Sequence, residues 1–223
     1  MKSVTTLGLL YAAATAGPIV TLPNGLGPGD TYHLMFVTSS GHDAMSPNIG
    51  IYDNFVQSQA DASAPLAALS LKWLVLGSSP TIDAIDHVAI QGPVFRLDGK
   101  RVATGSADLF DGTIENTVSI DPFGNSLTNV VMTGTGKNGK KNLPFGNGSQ
   151  DVWVGHNPNV GSQWISYSTN RPWGTSSSFY GISAAIQIPL PTPEPGAAVL
   201  LAGGLTALGA RKFSGRRASI RKL

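Results

Sequence analysis

The sequence predicts an α+β fold: a single β-rich domain with one or two early helices, followed by a C-terminal hydrophobic helix. Three observations lead to this prediction. Helical spacing of apolar residues in the body of the chain is confined to residues 46–69. Most of the other apolar segments are short runs of the β type. No internal repeat is present, which argues against a solenoid or a propeller.

The first helix is predicted to begin at Ser46-Pro47, because serine is a good N-cap and proline is favoured at the first helical position. The apolar residues that share one stripe of this helix are Ile49, Tyr52 and Val56. A shorter helical turn is predicted at 65–69.

The remaining segments are predicted to be strands, with one hairpin and one long loop. Asp98-Gly99 predicts a two-residue type I′ turn, which needs positive φ at both positions. The Gly, Asn, Lys and Pro residues of 134–150 predict an exposed loop. The predicted strands are 31–39, 71–77, 94–103, 128–134, 151–155, 163–168 and 181–188.

Charge and cysteine content exclude several classes of function. Residues 17–192 hold eight Lys and Arg against twelve Asp and Glu, so the body has no basic face for phosphates and nucleic acid is not an expected partner. Six of the fifteen basic residues lie in the last thirteen positions. The absence of cysteine excludes disulfides, thiolate metal sites and cysteine nucleophiles.

The N-terminal residues MKSVTTLGLLYAAATAG predict a secretory signal peptide over 1–16. Lys2 precedes an apolar run over 4–14, and Ala14-Thr15-Ala16 has the small-x-small pattern of a cleavage site. The alternative is an N-terminal strand of the domain.

The C-terminal segment 191–223 predicts a short transmembrane helix with a cytoplasmic basic end. Residues 196–210 carry no charge, and as a helix they would span about 22 Å of a hydrocarbon core of about 30 Å. If the helix extends over 195–213 and its terminal cations snorkel to the membrane surface, its length comes closer to the thickness of the hydrocarbon core. The alternative is a buried helix packed on the domain.

This tail resembles the PEP-CTERM sorting signal, which also goes by the name of ice-binding protein C-terminal domain. The residues that carry the resemblance are Pro193, Glu194, Pro195, Arg211, Arg216 and Arg217. The resemblance implies processing by an exosortase near Pro-Glu-Pro in Gram-negative bacteria that make exopolysaccharide or biofilm matrix. Ice binding is not inferred, because the body lacks a regular Thr-x-Thr array.

The body, 17–190, resembles secreted bacterial domains with a C-type-lectin-like fold. The resemblance lies in the order of YHLMFVTS, YDNFVQSQA, VFRLDGKRVATGSADLFDG, VWVG and YGISAAIQIP. The triplets Glu-Pro-Asn, Gln-Pro-Asp and Trp-Asn-Asp of sugar-binding lectins are missing. The calcium-dependent sugar site of those lectins is therefore not carried over to any residue.

Candidate metal ligands are two pairs of carboxylates, Asp83 with Asp86 and Asp108 with Asp111. Each pair could ligate calcium or cap a solvated turn, so metal binding stays open. The four histidines, His33, His42, His87 and His156, lack the spacing of a zinc site.

The candidate ligand-binding residues are Trp173, Asn170 and Arg171, in a turn-rich loop. Aromatic faces beside amides suit sugar rings. Trp153 and Trp164 lie close by and are interpreted as core residues of strands.

Together these features predict an exported, exosortase-processed protein of the cell surface or extracellular matrix. Its tail would hold it in the membrane until processing, and its body would be a non-enzymatic binding or structural domain without a cofactor, with extracellular polysaccharide as a candidate partner. The alternative is a secreted hydrolase of matrix polysaccharide or peptide, which needs convergent carboxylates or a Ser/His pair.

Overall fold

The computed structural model describes residues 16–192, apart from the side chain of Ser168. Almost all of the signal peptide, the Pro193-Glu194-Pro195 motif, the basic residues of the tail and the C-terminal hydrophobic helix lie outside the described residues, so these predictions stay predictions. Within 16–192, no helix is both long enough and apolar enough to cross a bilayer.

The described residues form a single β-rich domain with a few short helices, as the sequence predicts. The strands are β1 (Thr31–Val37), β2 (Trp73–Val75), β3 (Val94–Arg96), β4 (Arg101–Ala103), β5 (Val130–Met132), β6 (Asp151–His156), β7 (Tyr167–Pro172), β8 (Tyr180–Ser183) and β9 (Ile186–Gln187). The helices are α1 (Ile49–Asp61), α2 (Ala64–Ala67), α3 (Ala84–Val88) and α4 (Ser106–Leu109), with a 3₁₀ helix at Ser162–Trp164.

Two sheets organise the described domain. The larger has the order β2-β8-β1-β3-β4, and β9 also pairs with β1. Strand β1 runs parallel to β3 and antiparallel to β8 and β9. The smaller sheet has the order β5-β6-β7, with antiparallel neighbours.

Strand β1 is buried on both faces and divides the core into two clusters. Successive strand side chains point to opposite faces. Leu34 and Phe36 therefore pack in one cluster with α1, whereas Met35 and Val37 pack in the other. The largest fully buried side chains include Trp73 and Tyr52 in the first cluster and Trp164 and Tyr180 in the second.

Helix α1 is confirmed, and so is its predicted apolar stripe, which is buried. The predicted N-cap at Ser46 is wrong, because the helix begins at Ile49 with Asn48 as its cap. The Asn48 side chain accepts a hydrogen bond from the Gly50 N–H at 3.0 Å, which satisfies one of the helix's unpaired donors. The Ser46 hydroxyl instead accepts from the Asn48 N–H at 3.1 Å.

The β3–β4 hairpin is also confirmed, but its turn is not the predicted type I′. Gly99 has a φ of +83°, whereas Asp98 does not adopt a positive φ. The Gly99 N–H donates to the Arg96 carbonyl, and the Arg96 N–H donates to the Lys100 carbonyl. This pattern is a longer turn closed by glycine in the left-handed region, which accommodates Asp98 without strain.

Two further predictions need correction, and two short helices were not predicted. Within the predicted strand 163–168, Gln163 and Trp164 lie in the 3₁₀ helix, and the extended chain starts at Tyr167. The predicted exposed loop 134–150 is partly buried, because Phe145 is fully enclosed and packs on Tyr52 at a ring distance of 4.6 Å. Helices α3 and α4 were not predicted, since five and four residues are too few to establish a helical period.

Candidate functional site

A polar cleft of about 430 Å³ opens where the ends of the two sheets meet. Ligand sites of proteins commonly have volumes of this order. Its lining is made almost entirely of hydroxyl, amide and basic side chains, which suits a hydroxylated ligand better than an apolar one. The lining residues are Ser39, Ser40, Gly41, Thr128, Asn129, Val130, His156, Arg171, Ser176, Ser177 and Ser178.

Sheet topology brings the two serine-rich walls of the cleft together. Residues 39–41 follow the end of β1, and residues 176–178 precede the start of β8. Because β1 and β8 are antiparallel neighbours, these two ends meet at the same edge of the sheet. His42 and Ser177 exchange two backbone hydrogen bonds at 3.0 and 3.1 Å, which hold the two walls in register.

The third wall comes from the smaller sheet and is fixed by a buried amide. The Asn157 side chain is fully buried, accepts from the Asn129 N–H at 2.7 Å and donates to the Leu127 carbonyl at 3.1 Å. The Asn129 amide in turn donates to the Ser178 hydroxyl at 2.9 Å. Asn157 therefore positions the segment that carries Thr128 and Asn129 into the cleft lining.

Several hydroxyl groups of the lining are available to a ligand. In the part of the chain that the structure describes, four of them make no side-chain hydrogen bond. They belong to Ser40, Thr128, Ser176 and Ser177. A hydroxyl can both donate and accept, so this set can pair with hydroxyls of either orientation on a ligand.

His156 adds a ring-nitrogen donor to the lining. The amide of Asn159 donates to Nδ1 of His156 at 3.3 Å and also to the Gln163 side chain at 3.1 Å. This contact places the proton of the neutral imidazole on Nε2. The ring packs against Tyr167 at 5.5 Å, which holds its orientation.

Arg171 is the one lysine or arginine among the eleven lining residues, and none of the eleven is acidic. Within residues 16–192 its guanidinium makes no ion pair and no hydrogen bond to another side chain. The carboxylate of Asp151, on the adjacent strand, accepts instead from the Asn170 amide at 2.6 Å. Among the described residues, the cleft therefore presents a positive charge without an ion-pair partner.

The three predicted ligand residues are separated by the structure. Arg171 lies in the cleft lining, whereas Asn170 is exposed beside Asp151 and Trp173 is half-buried against the first core cluster. The backbone of Trp173 bonds to Gln150 and Ala44. Its role in ligand binding stays a prediction, although its side chain is less exposed than the sequence suggests.

The two neighbouring tryptophans differ in burial. Trp164 is fully buried, which confirms it as a core residue, but in the 3₁₀ helix and not in a strand. Trp153 lies in β6, is half-buried, and donates its indole N–H to the Ser166 hydroxyl at 2.9 Å.

The predicted acidic pairs contact lysine, threonine and backbone groups of the domain. Asp83 and Asp86 share the Lys140 ammonium at 3.3 and 3.2 Å. The Lys141 backbone N–H, assisted by the two lysine charges, lowers the pKa of Asp83. The Thr104 N–H and hydroxyl likewise lower the pKa of Asp108. No group of three or more His, Asp or Glu side chains able to hold a metal ion occurs among the described residues.

The remaining histidines also have structural contacts. His33 is buried between the Ser183 carbonyl and the Gln91 N–H, and burial lowers its pKa. His42 bonds to the backbone of Asp43.

A His–Asp pair that the sequence did not reveal joins α1 to α3. Nε2 of His87 lies 2.9 Å from Oδ1 of Asp53, and both side chains are mostly buried. Asp53 also accepts from the Val75 N–H at 2.9 Å, so the pair fastens two helices to β2. No hydroxyl of the described residues hydrogen-bonds to His87. The two residues are 34 positions apart, and no local signal connects them.

The sequence did contain a signal for the cleft itself. The stretches TSSGH (38–42) and GTSSSF (174–179) are both unusually rich in small hydroxyl residues, and one follows a predicted strand while the other precedes one. The pairing of those strands would have placed the two stretches together.

Comparison with known protein families finds no family that matches the chain. Comparison with curated proteins finds no significant relative.

Proposed function

We propose that this protein is an exported component of the cell surface or extracellular matrix whose domain binds carbohydrate in the polar cleft. The observation that carries the proposal is the lining of free hydroxyls, an amide, His156 and Arg171 in a cavity of about 430 Å³. Sugars need many oriented donors and acceptors, and this lining supplies them mostly from segments that flank the strands of the two sheets. Binding, and not turnover, is the function that this arrangement favours.

The lectin-like part of the proposal is supported by the order of elements. Two early helices lie between β1 and β2, and the last strand, β9, pairs with the first. A separate three-stranded sheet carries one wall of the cleft. Calcium-dependent lectins bind sugar through triplets that this sequence lacks. A sugar site in the cleft would therefore not use their calcium ligands.

Ser176→Trp should abolish glycan binding, because Ser176 lines the cleft, is exposed, and would be replaced by a ring that fills it. The measurement is retention on a glycan array with full-length protein in a detergent that has no sugar headgroup. Ala67→Trp, at an exposed position of α2, is the matched control and should bind as the wild type does. Equal retention by Ser176→Trp would place the site elsewhere, and no retention by the wild type would contradict carbohydrate binding.

The secreted hydrolase stays the alternative. The feature that would support it is the Asp53–His87 pair, which has the geometry of a base and its orienting carboxylate. A screen of polysaccharide and peptide substrates tests it, with His87→Asn as the variant that removes the base.

The sorting tail predicts a processing event with an all-or-none outcome. Glu194→Ala, or deletion of 211–223, should leave an unprocessed precursor in the membrane of a host with an exosortase. The reason comes from the sequence: proline disfavours helix at its own position and at the preceding one, which would leave Pro-Glu-Pro accessible to a processing enzyme, and the uncharged stretch 196–210 is shorter than a bilayer-spanning helix needs.

Mass spectrometry of the mature C-terminus measures this directly. Thr192→Ala, one residue before the motif, is the control and should be processed as the wild type is. Wild-type protein at the cell surface that still ends at Leu223 would identify the tail as a plain anchor and overturn the sorting proposal.

A further inference from the structure

The charge pattern of the cleft differs from that of the domain around it. The body carries twelve acidic against eight basic residues, yet none of the described residues that line the cleft has a carboxylate. Four of the other cations are neutralised in ion pairs with neighbouring acids. They are Arg96, Arg101, Lys140 and Lys141. Arg171 therefore combines a charge without an ion pair in the described chain with a position in a concave site.

We propose that the cleft selects sugars that carry a carboxylate, such as the uronic acid units of acidic polysaccharides, and that Arg171 is the residue that recognises the carboxylate. This proposal rests on the proposed carbohydrate binding and names its ligand class. It assigns a specificity role to Arg171, and the hydroxyl walls bind the rest of the sugar ring.

Arg171 is well placed for this role. Its strand is held by pairing with β6, where Arg171 lies opposite Val152, and its side chain is half-buried. A guanidinium presents parallel N–H donors whose spacing matches the two oxygens of a carboxylate. Hydrogen bonds between charged partners are stronger than those that a neutral hydroxyl can make to the same donors.

The single cation and the many hydroxyls of the cleft narrow the class of ligand further. One cation matches the single charge of a carboxylate, whereas a doubly charged phosphate monoester would leave a charge without a partner. Ser40, Thr128, Ser176 and Ser177 supply hydroxyls for the ring, and His156 supplies an N–H donor. An anion without hydroxyls would leave most of these groups unused.

The test is isothermal titration calorimetry on full-length protein in a detergent without a sugar headgroup. The ligands are tetrasaccharides of galacturonate, mannuronate and glucuronate, each compared with its own neutral methyl ester. The wild type should bind the best acidic tetrasaccharide at least tenfold more tightly than its ester. Arg171→Gln should remove that preference while the affinity for the ester stays within twofold.

Lys72→Gln is the matched control for loss of one positive charge. Lys72 is exposed, makes no ion pair within the described residues, and precedes β2. Since β1 and β2 are both antiparallel to β8, they run in the same direction, and Lys72 lies at the end of the sheet opposite to the cleft. Its substitution should keep the preference for the acid. Arg171→Lys keeps the positive charge but loses the pair of parallel N–H donors, so it should give an intermediate preference for the acid.

The outcomes separate this inference from the proposed function. If the wild type binds acid and ester equally, or if Arg171→Gln keeps the preference, the role of Arg171 is wrong while carbohydrate binding stands. If a sulfated tetrasaccharide binds as tightly as the uronate, a general anion site replaces the carboxylate site. If no sugar binds on the array or in the calorimeter, both proposals are overturned.

Discussion

Asp98→Ala should lower the free energy of unfolding by about 3 kcal/mol, because it leaves the buried Arg96 guanidinium without its counter-ion. Arg96 is only 6% exposed. Its Nε donates to Oδ1 of Asp98 at 2.8 Å, and its Nη2 donates to Oδ2. Its Nη1 donates to Thr117 and Ser119, which are neutral and cannot balance the charge.

Urea-induced unfolding measures the loss, and two variants test its cause. Glu115→Ala breaks the Arg101 ion pair, in which both side chains are well exposed, so it should cost less than about 1 kcal/mol. Adding Arg96→Met to Asp98→Ala should recover part of the stability, since the orphaned charge is then removed. A double variant no more stable than Asp98→Ala would show that hairpin geometry, and not the buried charge, is what matters.

The same pair predicts how stability depends on pH. Burial alone would raise the pKa of Asp98, but the hydrogen bonds and charge of Arg96 outweigh it and the pKa is lowered. A carboxyl with a lowered folded-state pKa stabilises the protein above its unfolded value of about 3.9 and loses that contribution as pH falls through the folded value. The difference between the wild type and Asp98→Ala should therefore be constant near neutral pH and shrink below about pH 4.

Local features of the fold could be predicted from the sequence where a short signal was sufficient. The stripe of α1 and the turn glycine Gly99 are both found where their patterns indicate. The error at the start of α1 depends on which of two nearby side chains accepts a hydrogen bond from the first turn of the helix. Asn48 caps α1 in place of Ser46, since its amide reaches the Gly50 N–H.

The cleft could be predicted only in part, because it depends on contacts far apart in sequence. Its serine-rich walls meet because β1 pairs with β8, and the chain segments that follow and precede these strands are more than 130 residues apart. Arg171 was identified in a predicted loop together with Trp173, whereas in the structure Arg171 lies in β7 and lines the cleft, and Trp173 follows that strand and packs against the core. Alternation along β7 places Arg171 and its neighbour Asn170 on opposite faces of the strand, although composition groups them.

Asn157 illustrates this limit and gives the second prediction of large effect. In the sequence it is one of several amides near the tryptophans, whereas in the structure it is fully buried beneath the cleft. Asn157→Ala should lower the free energy of unfolding by about 2–3 kcal/mol, because it leaves the Asn129 N–H and the Leu127 carbonyl without partners. Urea unfolding measures the loss of stability. Hydrogen exchange of the Asn129 backbone amide reports the lost hydrogen bond, and this exchange should be faster in the variant.

Asn159→Ala is the matched control, since within residues 16–192 the side-chain amide of Asn159 bonds to the side chains of His156 and Gln163, which water can satisfy. Its cost should stay within about 0.5 kcal/mol. Asn157→Ala should also weaken glycan binding more than Asn159→Ala does, because the segment that it releases carries Thr128 and Asn129 of the cleft lining. If Asn157→Ala loses stability but binds glycans with unchanged affinity, the 127–129 segment is a support of the fold and not a wall of the binding site.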